Sequence, residues 1–208
     1  MLPELLLMVS LNLGADPVAT ALARFEQVNA YQLTLHSQGP SGEEEVIHYA
    51  YRRPGFVRMD MVKPFRGAVL IYDPHAHEVR LWPFGSPGRR AGLTLSPNNR
   101  LVRSARGHRV DESDVGTLLR NVQRLQQQGE LRQLGEDAID GHSVHHLEVE
   151  GEAGHTVEEV ARFELWLDSE TLFPRKAVGY DRHERMLETV TLKDIVVDPD
   201  LPEDFFSP

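Results

Sequence analysis

From Ala30 onward the chain alternates between apolar and polar residues with a period of two. Tyr31, Leu33 and Leu35 are separated by Gln32 and Thr34; Ile47, Tyr49 and Tyr51 by His48 and Ala50; Val57, Met59 and Met61 by Arg58 and Asp60. Such a period puts every second side chain on one face of a strand. The links between the runs are short: Gln38-Gly39-Pro40-Ser41-Gly42, then Pro54-Gly55, then an interruption at Pro64, then Asp73-Pro74 before "HEVRLWP" (77–83). A parallel neighbour needs a crossover of a dozen residues or more, so these runs are predicted to pair as an antiparallel meander. The run 67–73, "GAVLIYD", is apolar on both faces.

A second block resumes after Gly129. "LRQLGEDAIDG", "HSVHHLEVEG", "VARFELWLD", "PRKAVGYD" and "MLETVTLKDIVV" read as strands, with turns at Asp140-Gly141, Gly151 to Gly154, Ser169 to Phe173 and Asp181 to Glu184. Helical signals fall before and between the blocks. Asp16 caps and Pro17 opens a predicted helix to Val28, with Val18, Leu22, Phe25 and Val28 at helical spacing. Ser96-Pro97 marks a short helix start. Asp111 opens a longer helix whose stripe is Val115, Leu118, Leu119, Val122 and Leu125. With 208 residues, the expectation is one α+β domain, residues 16–208, built on a long curved antiparallel sheet with helices on one face.

The preceding segment, residues 1–15, is apolar from Leu5 to Leu13 and ends at Gly14 and Ala15. It resembles a signal-peptide remnant, although Glu4 stands where a positive leader belongs. The alternative is a leading strand or helix turn. The run is too short to span a bilayer, and no later segment is apolar for long enough.

Several activities are disfavoured by what the chain lacks. The net charge is −10, from 22 Lys and Arg against 32 Asp and Glu, which argues against general nucleic-acid binding. No cysteine is present, so disulfides, thiol nucleophiles, thiolate metal sites and a cysteine-borne lipid anchor are all excluded. Neither G-x-S-x-G nor H-E-x-x-H nor a phosphate-binding glycine loop occurs. Acid pairs such as Glu164 and Asp168 suit a solvated strand face. His142, His145, His146 and His155 cluster in sequence. On a strand, however, His145 and His146 point to opposite faces, and His142 and His146 lie about 13 Å apart. No metal and no cofactor are expected, nor any catalytic residue.

Between Val79 and Val110 stand seven arginines (Arg80, Arg89, Arg90, Arg100, Arg103, Arg106 and Arg109) without one acid. The segment reads either as a docking surface for phospholipid head groups or an acidic partner, or as a solvated loop. The Met59/Met61 face and the Val115–Leu125 stripe read either as filled core or as the walls of a groove, for which methionine is adaptable enough.

Three stretches together resemble the LolA-like proteins, the outer-membrane lipoprotein-sorting carriers. "YRRPGFVRMDMVKPFRGAVLIYD" resembles their strand-turn-strand-strand opening, and "HRVDESDVGTLLRNV" the lid helix of one branch. "FELWLDSETLFPRKAVGYDRHERMLETVTLKDIVVDPDLPEDFF" resembles their last three strands and tail. The resemblance covers roughly residues 16 to 206 and implies a half-open, incomplete antiparallel barrel with a helical lid on the concave face. It implies a periplasmic, non-enzymatic carrier of lipoprotein or phospholipid acyl chains, exchanging them with a membrane-bound donor or acceptor protein. The alternative within the superfamily is an envelope sensor or scaffold domain. Arg53, directly before Pro54, matches the arginine that latches the lid through helix backbone carbonyls. Val57, Met59, Met61, Leu70, Tyr72, Val115, Leu118, Leu119 and Val122 would then line the groove. The arginine-rich middle has no counterpart assignable in the carrier.

Overall fold

The computed structural model describes residues 16–85, 92–104, 106–152 and 154–207. The apolar stretch 1–15, with its signal-like character, and Arg89 and Arg90 lie outside them. Eleven strands form one antiparallel sheet: β1 Ala30–Gln38, β2 Glu44–Arg52, β3 Phe56–Lys63, β4 Val69–Asp73, β5 Glu78–Trp82, β6 Leu93–Leu95, β7 Gly129–Ile139, β8 His142–Gly151, β9 Arg162–Asp168, β10 Pro174–Tyr180 and β11 Met186–Val197. Their order is β6-β5-β4-β3-β2-β1-β11-β10-β9-β8-β7. The two blocks read from sequence are two meanders joined where β1 pairs with β11. The sheet is curved but not closed; β6 and β7 are its edges.

Two helices cover the concave face, α1 Pro17–Phe25 and α2 Val115–Gln126. Asp16 caps α1, as its position before Pro17 predicts. The predicted extension to Val28 is absent: Gln27 and Val28 donate to Arg24 and Phe25 in tighter i to i−3 bonds. Asp111 does not cap α2. It lies in a turn of 3₁₀ helix, Val110–Glu112, and Asp114 caps instead, accepting from the Thr117 N–H at 3.1 Å. Ser96-Pro97 precedes another single 3₁₀ turn, Arg100–Val102. The short edge strand β6 carries no alternation long enough to read from sequence.

Register places Tyr31, Leu33 and Leu35 opposite Tyr51, Tyr49 and Ile47, and these opposite Val57, Met59 and Met61. Val57 and Met59 in turn face Tyr72 and Leu70. One apolar surface therefore runs across four strands on the concave side. A Cβ at Gly116 would lie 2.5 Å from a ring carbon of Phe25, so α2 meets α1 only because this position is bare. The outer face has its own cover: the C-terminal Phe205 and Phe206 pack with Phe56, Val69, Ile71 and Trp82, and the Arg52 guanidinium lies 4.7 Å from the Phe206 ring centre.

Candidate functional site

The floor of the site is aromatic at one end and aliphatic at the other. Tyr31 stacks on Tyr51 at 5.1 Å and on Tyr49 at 5.9 Å, with Phe25 and Phe173 edge-on to it. This layer is buried, and its hydroxyls anchor the lid. The Val115 N–H donates to Tyr31 Oη at 3.1 Å, and Tyr49 Oη lies 3.1 Å from Ser113 Oγ. Burial, reinforced by neighbouring negative charge, pushes both phenols above the ordinary tyrosine range. They are therefore neutral hydrogen-bonding groups. At the other end of α2, Gln126 Nε2 donates to Asp16 Oδ2 at 2.7 Å. Between these two ties, Val115, Leu119, Val122 and Leu125 sink into the core.

Beyond the tyrosines the concave face is not filled. A cavity of about 1130 Å³ opens there, above the roughly 300–1,000 Å³ usual for a small-molecule pocket. Leu33, Leu35, Ile47, Val190 and Leu192 pave it, together with Met59, Met61 and Leu70. Val115 and Leu118 bring α2 to its wall. Five of the nine expected groove residues thus meet here. Val57 and Tyr72 line a smaller cleft of about 320 Å³ beside Arg53. Leu119 and Val122 are wholly buried beneath the lid. The sequence stripe could not separate these two groups, because a helix seated on a half-filled sheet has one flank in the core and the next over the void.

Arg53 Nε donates to the Val28 carbonyl at 2.7 Å and its Nη2 to the Phe25 carbonyl at 3.1 Å. Phe25 is the last residue of α1 and Val28 lies in the turn that follows it, so the cation stands at the helix C-terminus, where it complements the dipole. The helix that Arg53 bonds is therefore α1. It makes no hydrogen bond to α2 among the described residues.

A polar cluster in the lining closes one side of the cavity, and of its members sequence reading singled out Arg106 alone. Ser37 Oγ donates to Glu188 Oε1, His108 Nε2 lies 3.0 Å from Glu188 Oε2, and Arg106 Nη1 donates to the Leu187 carbonyl. A loop between the two helices is thereby clasped to the start of β11, eighty residues away in sequence. The hydrogen bond with Glu188 raises the His108 pKa, partly opposed by burial. Burial pushes the Glu188 carboxyl up, but hydrogen bonds from His108 and Ser37 outweigh it and hold it below the usual range.

The remaining predicted cations divide. Arg109 pairs with Asp111 and Glu112. Arg103 donates to the Asn98 carbonyl at 3.2 Å, and Arg100 is exposed. Two histidines of β8 are engaged on strand surfaces: the His146 ring stacks on Trp166 at 4.1 Å and meets Glu164 at 3.2 Å, while His142 Nδ1 lies 2.9 Å from the Arg175 guanidinium. Glu164 and Asp168 are likewise tied, to Arg162 and Arg175. Among the described residues no group of three or more His, Asp or Glu side chains is placed to hold a metal ion.

No family model matches the chain, and no curated protein does. Solved structures do. An uncharacterized conserved protein from Thermus thermophilus matches over 93% of this chain and 94% of its own, at 15% identity and a TM-score of 0.57. The Mycobacterium tuberculosis lipoprotein LppX matches over 89% and 95%, at 10% identity and 0.55. Pseudomonas aeruginosa MucB, solved in complex with MucA, matches over 92% of this chain and 59% of that one, at 20% identity and 0.52. At such identities the likeness concerns the fold alone: a lidded, half-open sheet. This chain spans about three fifths of the MucB chain. No helix among the described residues is long and apolar enough to cross a membrane.

Proposed function

We propose that this protein is a non-enzymatic binding or carrier protein that holds the acyl chains of a lipidated protein or lipid in its lidded groove. The observation that carries this reading is the cavity of about 1130 Å³, paved by aliphatic and methionine side chains. Burial of an acyl chain supplies about 0.8 kcal/mol per methylene, so a dozen methylenes offset the cost of immobilising a ligand without covalent chemistry. Residence in the periplasm fits the LolA-like fold. Arg53 would act as a latch by holding the end of α1, against which the lid α2 packs. Arg100 and Arg103, both exposed, would face an acidic partner or lipid head groups, whereas Arg106 and Arg109 are tied to the Leu187 carbonyl and to Asp111 and Glu112.

The likeness to MucB, solved with MucA, favours a second reading: an envelope sensor or scaffold domain that binds a protein through the same sheet. Organic extraction of protein purified from its native host, followed by mass spectrometry, separates the two. A stoichiometric acylated species is expected for the carrier. A clean extract, together with no saturable binding of a fluorescent fatty-acyl probe, would sink it in favour of the scaffold.

A further inference from the structure

Four large apolar side chains stand in solvent at one place on the molecule. Phe65 is 68% exposed, Phe84 82%, Leu93 50% and Leu101 68%, and all four border the mouth of the large cavity. The topology gathers them. Gly85 N–H donates to the Gly67 carbonyl at 3.2 Å, which brings the turn carrying Phe65 beside the one carrying Phe84. Leu93 pairs with Leu81 on the neighbouring strand, and Leu101 projects from the 3₁₀ turn that follows β6. Scattered exposed leucines need no explanation, but a contiguous apolar rim marks an interaction surface.

The charge around this rim is positive. Arg66 follows Phe65, and Arg100 and Arg103 flank Leu101; all three are exposed and without an ion-pair partner among the described residues. Of the acids at the cavity, Glu45 is buried, Glu112 pairs with Arg109, Asp114 with Arg120 and Glu188 with His108, while Glu158 and Glu159 belong to the β8–β9 connection, on the other half of the sheet. A protein of net charge −10 thus presents apolar and cationic groups together at the opening of its groove.

We propose that this mouth docks on an anionic lipid bilayer, with Phe65, Phe84, Leu93 and Leu101 entering the interfacial region and Arg66, Arg100 and Arg103 meeting the phosphate head groups. The proposal extends the acyl-binding reading, since a groove that exchanges chains must open towards the surface that holds them. Exposed aromatics suit the boundary between head groups and hydrocarbon, and each arginine near an anionic surface adds roughly one kcal/mol of attraction, about fivefold in partitioning.

The test is flotation of the full chain with vesicles of phosphatidylcholine alone or with one third phosphatidylglycerol, at low and high salt. The wild type should float with the anionic vesicles at low salt and lose most of that binding at high salt. Phe65→Ser/Phe84→Ser should reduce partitioning at least tenfold with an unchanged melting temperature, because both side chains stand in solvent. Arg66→Gln/Arg100→Gln should lose the preference for phosphatidylglycerol and bind a soluble acyl probe as the wild type does, since neither residue lines the cavity. No flotation with either vesicle, or undiminished flotation of the Phe65/Phe84 variant, would overturn the proposal and assign the rim to a protein partner. Vesicle binding without probe binding would overturn the acyl-carrier reading while leaving the docking surface intact.

Discussion

Arg53 shows how much a single residue discloses before its surroundings are known. A cation directly before Pro-Gly at a strand turn reads by itself as a surface cation, and only the LolA-like resemblance made Arg53 a candidate latch. Which helix it reaches was not legible, because that depends on α1 ending at Phe25 so that its last carbonyls face the turn. Two charged hydrogen bonds at an exposed site are worth little globally, about 1 kcal/mol or less. Arg53→Leu should therefore lower the urea midpoint only slightly. If the end of α1 steadies the lid, the variant should also release an acyl probe at a changed rate, by up to tenfold in stopped-flow fluorescence. Equal off-rates in wild type and variant would reduce Arg53 to a helix cap. The neighbouring groove residues were less legible still. Val57 and Met59 share a face by strict alternation, yet one lines the small cleft and the other the large cavity, since alternation fixes the face and not the depth of filling along it.

Among the elements, the strands were the most legible because each alternates over seven residues or more or carries a turn signal at both ends. The three-residue β6 offers no period. The loop clasped by His108 and Glu188 has no signature either, since its contacts come from residues eighty positions away. Helix α2 was legible as a stripe, and the structure splits that stripe by environment. Leu119 is wholly buried, whereas Leu118 borders the cavity. Leu119→Ala should cost about 2–5 kcal/mol, read by chemical denaturation, and Leu118→Ala distinctly less. Similar losses at both positions would mean that the lid is uniformly packed. The clasp should respond to pH. A raised histidine pKa contributes stability that is fully present below its free value of 6.5 and is lost as pH climbs through the higher folded value. The depressed Glu188 pKa contributes stability above its free value of 4.5, lost as pH falls through the lower folded value. Between those limits both groups are charged and the loop is held most firmly. Hydrogen exchange in residues 103–109, corrected for its intrinsic rate, should accelerate as pH rises from 6 to 9. His108→Gln should remove that pH dependence, and a profile unchanged by the variant would show that the clasp does not depend on the histidine.

At the scale of the whole molecule, one question was beyond sequence reading: whether the concave face is filled or fillable. The same Met59/Met61 pattern serves a packed core and an open groove, because periodicity records which side chains leave water and not what replaces it. The structure supplies the missing quantity, a volume. That volume makes the whole-molecule prediction, because enlarging a side chain acts oppositely in the two cases. In a close-packed core, extra volume forces strain of about 1–3 kcal/mol. In a groove it meets empty space and competes with the occupant. Met61 lies on the cavity wall, half-buried and close to the open end. Met61→Trp should therefore hold its melting temperature within a few degrees of wild type while weakening acyl-probe binding tenfold or more. Tyr31→Trp serves as the contrast: Tyr31 is wholly buried in the aromatic layer and bonded to the Val115 N–H, so that enlargement should destabilise the fold measurably. The paired measurements are a thermal melt and a probe titration on each variant. If Met61→Trp melts as early as Tyr31→Trp and titrates like wild type, the concave face is core throughout and the carrier reading fails with it.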